Sequence, residues 1–515
     1  MGLLQVHSFV AGQWAAPAGD VVPLHNAFTG ALIGHASAGA PDVAAMYDHA
    51  LATGGPALRA MTFHDRARML KALAQYLSAR KNELYELSYL TGATKSDSWI
   101  DIDGGIGTTF VFASKGRREM PDAHVYLDGD VEMLSRHGSF VGQHVCTPLQ
   151  GVAVHINAFN FPVWGMLEKL APTLLAGMPA IVKPATVTGY LTEAAFRMII
   201  ESGLLPDGAV QLVSGRLGPL LDMLGPQDAV SFTGSAVTGV MLRGTPNLLE
   251  RSVRFSAEQD SLNATILGPD VMVGDPEFDL FIKEAAGEIT AKAGQKCTAV
   301  RRILVPEALR QPVAEALRAA LDDVAIGDPR LKEVGMGALA SGGQKQDVLA
   351  KCEMFKGEAR CIIGGEAPRL TGEDLAGGAF VAPTIFDCAN PDGATHLHEQ
   401  EAFGPVACLM AYRELGHAAV LSNRGGGALV TSVVTRDREV AHSLVAASAC
   451  HHGRLYFNNR DSMAEATGHG APLPHMVHGG PGRAGGSEEL GGVRAVKHYM
   501  QRTALQGPPD LLPAA

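Results

Sequence analysis

Between residues 62 and 90 apolar side chains recur at helical spacing, with Leu70, Leu73, Ala74 and Leu77 on one stripe. Thr62-x-x-Asp65 at its head has the form of a capping box, in which hydroxyl and carboxylate each satisfy a backbone N–H that the first turn leaves open. The stretch predicts a scaffold helix. From residue 150 the rhythm changes: short apolar runs at 152–156, 180–182, 210–213 and 229–232 alternate with helical patterns over 163–175, 190–202, 217–224 and 235–243. Parallel strands need a crossover to reach one another, so this alternation predicts βαβ units on a parallel sheet.

Residues 121–148 interrupt that rhythm with short alternating pieces around Asp128-Gly129-Asp130 and predict a β-hairpin excursion. A second α/β region begins near residue 260, and from 479 the chain turns Gly-rich. At 515 residues and 46% hydrophobic, it exceeds one compact core and predicts two or three domains.

The net charge of −11, without a basic arm, speaks against nonspecific binding to nucleic acid or to an anionic membrane. No apolar run has the length of a membrane span, and the first residues show no basic segment before an apolar core. Seven widely spaced cysteines with no Cys-x-x-Cys fit neither a disulfide framework nor a zinc knuckle; a reducing, cytoplasmic compartment is expected.

Of these cysteines, Cys297 in Gly294-Gln295-Lys296-Cys297-Thr298 has the setting of a reactive thiolate near backbone N–H groups, and the other six read as packing residues. Glu258 offers a base that would release a product from it. Phe232-Thr233-Gly234-Ser235 ends a strand and opens a helix, and reads either as a place where N–H groups and the Ser235 hydroxyl hold phosphate or as an ordinary Gly-containing strand-to-helix turn. Val240-Met241 stands where a P-loop requires Lys-[Ser/Thr], so nucleoside triphosphate chemistry is not expected. Lys183 ends an earlier strand, where ligands of open α/β sheets collect. Asn160, polar within an apolar stretch, reads either as an oxyanion donor or as a turn asparagine. His469, His475 and His478 cluster in sequence, but no carboxylate or cysteine completes a metal spacing, and no metal is expected.

In chain order, Asn160 before Phe-Pro, Val182-Lys183-Pro184-Ala185, Phe232-Thr233-Gly234-Ser235, a lone Glu258, the Cys297 loop and Glu401-Ala402-Phe403-Gly404-Pro405 resemble the aldehyde dehydrogenase superfamily over nearly the whole chain. The resemblance implies an α/β fold. A Rossmann-type dinucleotide-binding domain would span 1–120 and 149–259, a catalytic domain 260–480, and a small β oligomerisation element 121–148 and 481–515, giving a homodimer. It implies that Cys297 attacks an aldehyde, that Asn160 and the Cys297 N–H stabilise the oxyanion, and that Glu258 activates water to hydrolyse the resulting thioester. Lys183, Thr186, Phe232, Gly234, Ser235, Glu401 and Phe403 would bind the cofactor. Thr186 stands where NAD-preferring members often place a glutamate, so NADP is expected, with NAD possible.

After Glu258 the chain reads Gln259-Asp260-Ser261-Leu262-Asn263 where most relatives have Leu-Gly-Gly-Lys, and the spacing to Cys297 is longer than usual. This stretch, with the Gly-rich end, is similar to the dehydrogenase part of bifunctional ring-cleavage proteins of phenylacetate degradation. That similarity implies 3-oxo-5,6-dehydrosuberyl-CoA semialdehyde as substrate and a separate hydratase. The alternative is a 3,4-dehydroadipyl-CoA semialdehyde dehydrogenase of the benzoyl-CoA pathway. A CoA-acylating enzyme and a non-catalytic binding protein are the competing classes.

Overall fold

A computed structural model describes residues 2–17 and 19–512. The four predicted parallel strands form as β1 (Ala153–Ile156), β2 (Ala180–Lys183), β3 (Val210–Leu212) and β4 (Ala229–Thr233), and a fifth, β5 (Arg254–Glu258), joins them in the spatial order β5-β4-β1-β2-β3. All five run parallel, and Ser8–Val10 and Gln13–Ala15 extend the β3 edge in antiparallel fashion. Val154, Ile181, Val182 and Val230 are fully buried, as strands covered on both faces must be. The crossovers include helices α1 (Trp164–Ala176) and α2 (Gly189–Glu201), while α3 (Ala236–Arg243) joins β4 towards β5. Strand order reverses between β1 and β4, and the crevice outside the carboxyl ends at such a switch point is where ligands of open sheets bind.

The expected helix over 217–224 shrinks to Leu220–Met223, because Gly218-Pro219 and Gly225-Pro226 bracket it. The helix expected over 62–90 divides into Phe63–Arg80 and Asn82–Tyr89, parting at Lys81, which pairs with Asp103 on the neighbouring helix Lys95–Glu119. Its capping box is present: the Thr62 hydroxyl accepts from Asp65 N at 3.1 Å and the Asp65 carboxylate from Thr62 N at 3.0 Å.

A second sheet contains β6 (Ala264–Leu267), β7 (Arg302–Pro306), β8 (Thr384–Cys388), β9 (Val406–Tyr412), β10 (Ala428–Val434) and β11 (His452–Asn458), in the order β8-β9-β7-β6-β10-β11. Arg360–Ile363 adds an antiparallel edge on β8. Between β6 and β7 lies α4 (Pro276–Thr290), which leads into the Cys297 loop.

The excursion at 121–148 and the chain's tail meet in a third sheet, where Val141–Pro148 pairs antiparallel with Met500–Gly507 and with the short strands Tyr126–Leu127 and Glu132–Met133. The stretch 481–515 is not one element, however. Its Gly-rich start packs on β5, where a Cβ on Gly485 would stand 1.9 Å from the Ala257 carbonyl oxygen; only the later strand joins the third sheet, and 513–515 lie outside the described residues. No helix among the described residues is long and apolar enough to cross a membrane.

Candidate active site

The nucleophile loop is fixed before Cys297 is reached. After α4 the backbone turns left-handed at Lys292 (φ 53°) and Ala293 (φ 51°), a conformation that costs residues with a Cβ roughly 1–3 kcal/mol each and survives only when its surroundings over-determine it. Here they do. Lys292 N donates to Asp97 Oδ1 at 2.7 Å, and its buried ammonium donates to Thr91 Oγ1 at 2.9 Å. Gln295 donates to the Lys292 carbonyl at 3.0 Å and accepts from Ala340 N at 2.9 Å. Gly294 (φ +67°) is required, since a Cβ there would lie 2.1 Å from the Gly404 carbonyl oxygen. On the far side Asn263 Nδ2 donates to the carbonyls of Cys297 and Ala299 at 2.8 and 2.9 Å.

The residues that break the usual pattern after Glu258 are therefore braces. Asn263 ties β6 to the nucleophile loop, Ser261 N donates to Glu401 at 3.0 Å, and Asp260 accepts from Ala236 N at the start of α3 at 2.9 Å. Arg483 of the Gly-rich segment holds the other Asp260 oxygen at 3.1 Å.

Glu258 ends β5 and is buried. Its Oε2 lies 3.1 Å from His478 Nε2, while Oε1 has no hydrogen-bond partner among the described residues. Burial pushes this carboxyl up, but the His478 charge and Lys169 outweigh it and hold Glu258 below the usual carboxylate range. Burial lowers the affinity of His478 for a proton; Glu258 reverses that, and the imidazole titrates above its ordinary value. Cys297 Sγ is 3.9 Å from the same Nε2. Its thiol is pushed well up, first by burial and then by the Glu258 charge, so the resting group is a thiol. Asn160 approaches from the end of β1, spending one amide hydrogen on the Gln295 carbonyl at 3.0 Å and keeping a second.

These groups line one cavity of about 680 Å³, whose outer wall is apolar: Trp99, Ile100, Val111, Phe161 and Trp164. Three members come together only through the fold. Glu258, Cys297 and His478 place their reactive atoms within 4.8 Å of one another. The expectation that no carboxylate or cysteine joins the histidine cluster holds along the chain and fails in space. The histidines themselves part company: His475 is exposed, and buried His469 bonds the Thr298 carbonyl at 2.8 Å. The packing role expected of the other cysteines also needs correction, since Cys450 is exposed and Cys361 partly so.

The residues expected to hold a cofactor lie at the carboxyl ends of the first sheet and in the loop that leads into β9 of the second. Lys183 closes β2, its ammonium bonded to the Pro184 carbonyl at 2.9 Å and its proton affinity lowered by burial. Thr186 follows in a short 3-10 turn. Ser235 caps α3 through Thr238 N at 3.3 Å, and Gly234 lies on the Phe232 ring, which a Cβ would approach to 2.6 Å. Phe232 is buried in the core, so its side chain supports the glycine turn and offers the crevice only backbone. Beyond Ser235 the outer face of α3 leaves Val237, Val240 and Met241 at 81%, 68% and 65% exposure. Glu401 is buried between Arg301, at 3.1 Å, and Ser261 N, and burial pushes its carboxyl up to about 7 against the pull of Arg301. Phe403 meets Phe159 edge-on with 5.8 Å between ring centroids.

The profile of the aldehyde dehydrogenase family matches residues 14–504. The chain is 40% identical to the 3,4-dehydroadipyl-CoA semialdehyde dehydrogenase of Aromatoleum evansii over 93% of each chain. It is 50% identical to Protein MaoC of Klebsiella aerogenes over 34% of this chain and 52% of that one. Among solved structures, PnpE in complex with nicotinamide adenine dinucleotide superposes with a TM-score of 0.84 at 24% identity, covering 99% of both chains. Betaine aldehyde dehydrogenase of Staphylococcus aureus in complex with NAD+ gives 0.83 at 22% identity, covering 99% of this chain and 96% of that one. With a shared fold, a family match over nearly its whole length and a close relative of the same extent, the chain belongs to the aldehyde dehydrogenase family.

Proposed function

We propose that the chain oxidises a CoA-linked semialdehyde to its acid by hydrolysis of a thioester on Cys297. The carrying observation is Glu258 Oε1: a buried carboxylate oxygen without a partner, in the cavity that holds the thiol. An unsatisfied buried acceptor is costly unless it is needed, and a water-activating base needs one. Cys297 Sγ would add to the carbonyl carbon, with the free Asn160 amide hydrogen and the Cys297 N–H facing the oxyanion. When bound, a nicotinamide supplies the hydride acceptor that turns this adduct into a thioester. Glu258 then removes a proton from water as it attacks, and Cys297 departs as the thiolate.

The crevice suits a dinucleotide. Lys183 is a desolvated cation with no carboxylate beside it among the described residues, the helix α3 opens at Gly234-Ser235, and Val237, Val240 and Met241 offer an apolar face for a base. Lys183 with Thr186, and no acid at 186, supports NADP over NAD. The relative from Aromatoleum evansii favours 3,4-dehydroadipyl-CoA semialdehyde, the alternative reading of the sequence, over the phenylacetate-derived substrate. The apolar cavity wall fits an extended acyl chain of either. The third sheet, ending in exposed strand residues of Met500–Gly507, supports its use as an arm between two copies.

Initial rates with free and CoA-linked semialdehydes and both cofactors test the reading. CoA-linked substrates with NADP are expected to give the highest kcat/KM. Formation of a new acyl-CoA thioester when free CoA is added would instead establish acyl transfer.

A further inference from the structure

Oxidation through a hydrolysed Cys297 thioester leaves His478 without a task, and the role assigned to it here rests on that proposed reaction. Val477–Gly479 pairs antiparallel with Glu488–Leu490, and the glycine-rich turn between them packs on β5, so the backbone fixes the ring beside Glu258. A single nitrogen, Nε2, faces Glu258 Oε2 at 3.1 Å and Cys297 Sγ at 3.9 Å. In a buried site two neighbouring anions are strongly disfavoured, so carboxylate and thiolate compete for one cation. The other charges bearing on the ring are Glu168 from α1, which favours the imidazolium, and Arg454 from β11, which opposes it; Lys169 of α1 acts on Glu258.

We propose that His478 is a catalytic residue that switches partners, its Nε2–H bonding the Glu258 carboxylate at rest and the Cys297 thiolate during attack. The Sγ–H bond breaks, the proton goes to Glu258 Oε1, and the electron pair stays on sulfur. The three groups keep the same total charge, because the imidazolium turns from a neutralised carboxyl to a new thiolate. Once sulfur is tied in a thioester it needs no counter-charge. The imidazolium returns to Glu258, whose proton leaves to solvent, and the carboxylate is again able to deprotonate water. The same cation meets the thiolate when the thioester collapses.

The test is iodoacetamide alkylation of Cys297 against pH in the full-length protein without cofactor or aldehyde. Peptide-resolved mass spectrometry is needed because Cys450 is exposed. His478→Gln, which removes the cation and keeps a polar side chain, is expected to move the profile to higher pH and slow alkylation near neutrality about tenfold or more, a tenfold loss of thiolate per pKa unit. His478→Lys, which restores a charge without the ring, is expected to stay closer to the native profile. Should His478→Gln fail to fold, His478→Asn carries the same expectation. An unchanged profile in the neutral variant, or equal shifts in the neutral and cationic variants, overturns the proposal. The readout uses no aldehyde, so failure to oxidise CoA-linked semialdehydes with this alkylation pattern intact would refute the substrate reading alone.

Discussion

The nucleophile loop and the cofactor crevice stand at neighbouring strand ends but are built in opposite ways. Around Cys297, almost every polar group is committed: Lys292 to Asp97 and Thr91, Gln295 to two backbone groups, Asn263 to two carbonyls. Strained backbone is tolerated there because these bonds leave it no alternative. Around Lys183 and α3, a cation lacks a carboxylate and an apolar helix face is left to solvent. On the proposed function a reacting sulfur must be held still while a dinucleotide must enter and leave, which would account for one region spending its hydrogen bonds internally and the other keeping them for a ligand.

The sharpest attack on this contrast is Cys297→Ala, expected to lower kcat by about four orders of magnitude or more while cofactor binding, followed by fluorescence titration, stays near native. Glu258→Gln should slow steady turnover roughly a hundredfold to ten-thousandfold and slow the stopped-flow burst of reduced cofactor by a smaller factor, because Glu258 takes the thiol proton before attack and activates water after hydride loss. A burst at the native rate would remove Glu258 from thiol activation, and an equal slowing of both phases would remove it from hydrolysis. Lys183→Ala touches only the open region. It should cut kcat/KM for NADP about tenfold to a hundredfold, the worth of one charge-assisted hydrogen bond, with a smaller loss for NAD.

Two weaker effects refine the picture. Gly107 lies inside the helix Lys95–Glu119 on the cavity wall, and a Cβ there would meet nothing within 4 Å. Packing does not require this glycine, so Gly107→Ala should stabilise the fold by about 0.5–1 kcal/mol in a denaturant titration. Gly107→Leu should raise KM for CoA-linked substrates more than for propanal. The Glu258–His478 pair also predicts a pH dependence of stability. The depressed carboxyl contributes above the ordinary carboxylate range and loses this as pH falls through its lowered value. The raised imidazole contributes fully below its ordinary value and loses this as pH rises through the elevated one. Thermal melts should therefore show native Tm falling on the alkaline side, with a shallower fall in His478→Gln.

Much of this is legible along the chain because it is local. A capping box spans four residues, so Thr62 and Asp65 announce their helix; Thr94 and Asp97 carry the same signal, and that box goes on to anchor Lys292. Apolar runs interleaved with helical periods identify parallel strands because burial on both faces leaves no other composition. The Phe232 side chain lies in the core beneath Gly234, a placement sequence does not show, because it does not tell which of adjacent groups supports from beneath.

Residue type and order determined that the chain has a thiol, a carboxylate and a parallel α/β sheet. Chemistry of that kind is carried by side chains whose strand-end positions can be read from period and punctuation. Tertiary structure alone decided that His478 joins Glu258 and Cys297, that Asp260, Ser261 and Asn263 are braces, and that the Gly-rich segment seals β5. Those contacts join residues far apart in the chain. They depend on where whole sheets pack, which no local pattern encodes.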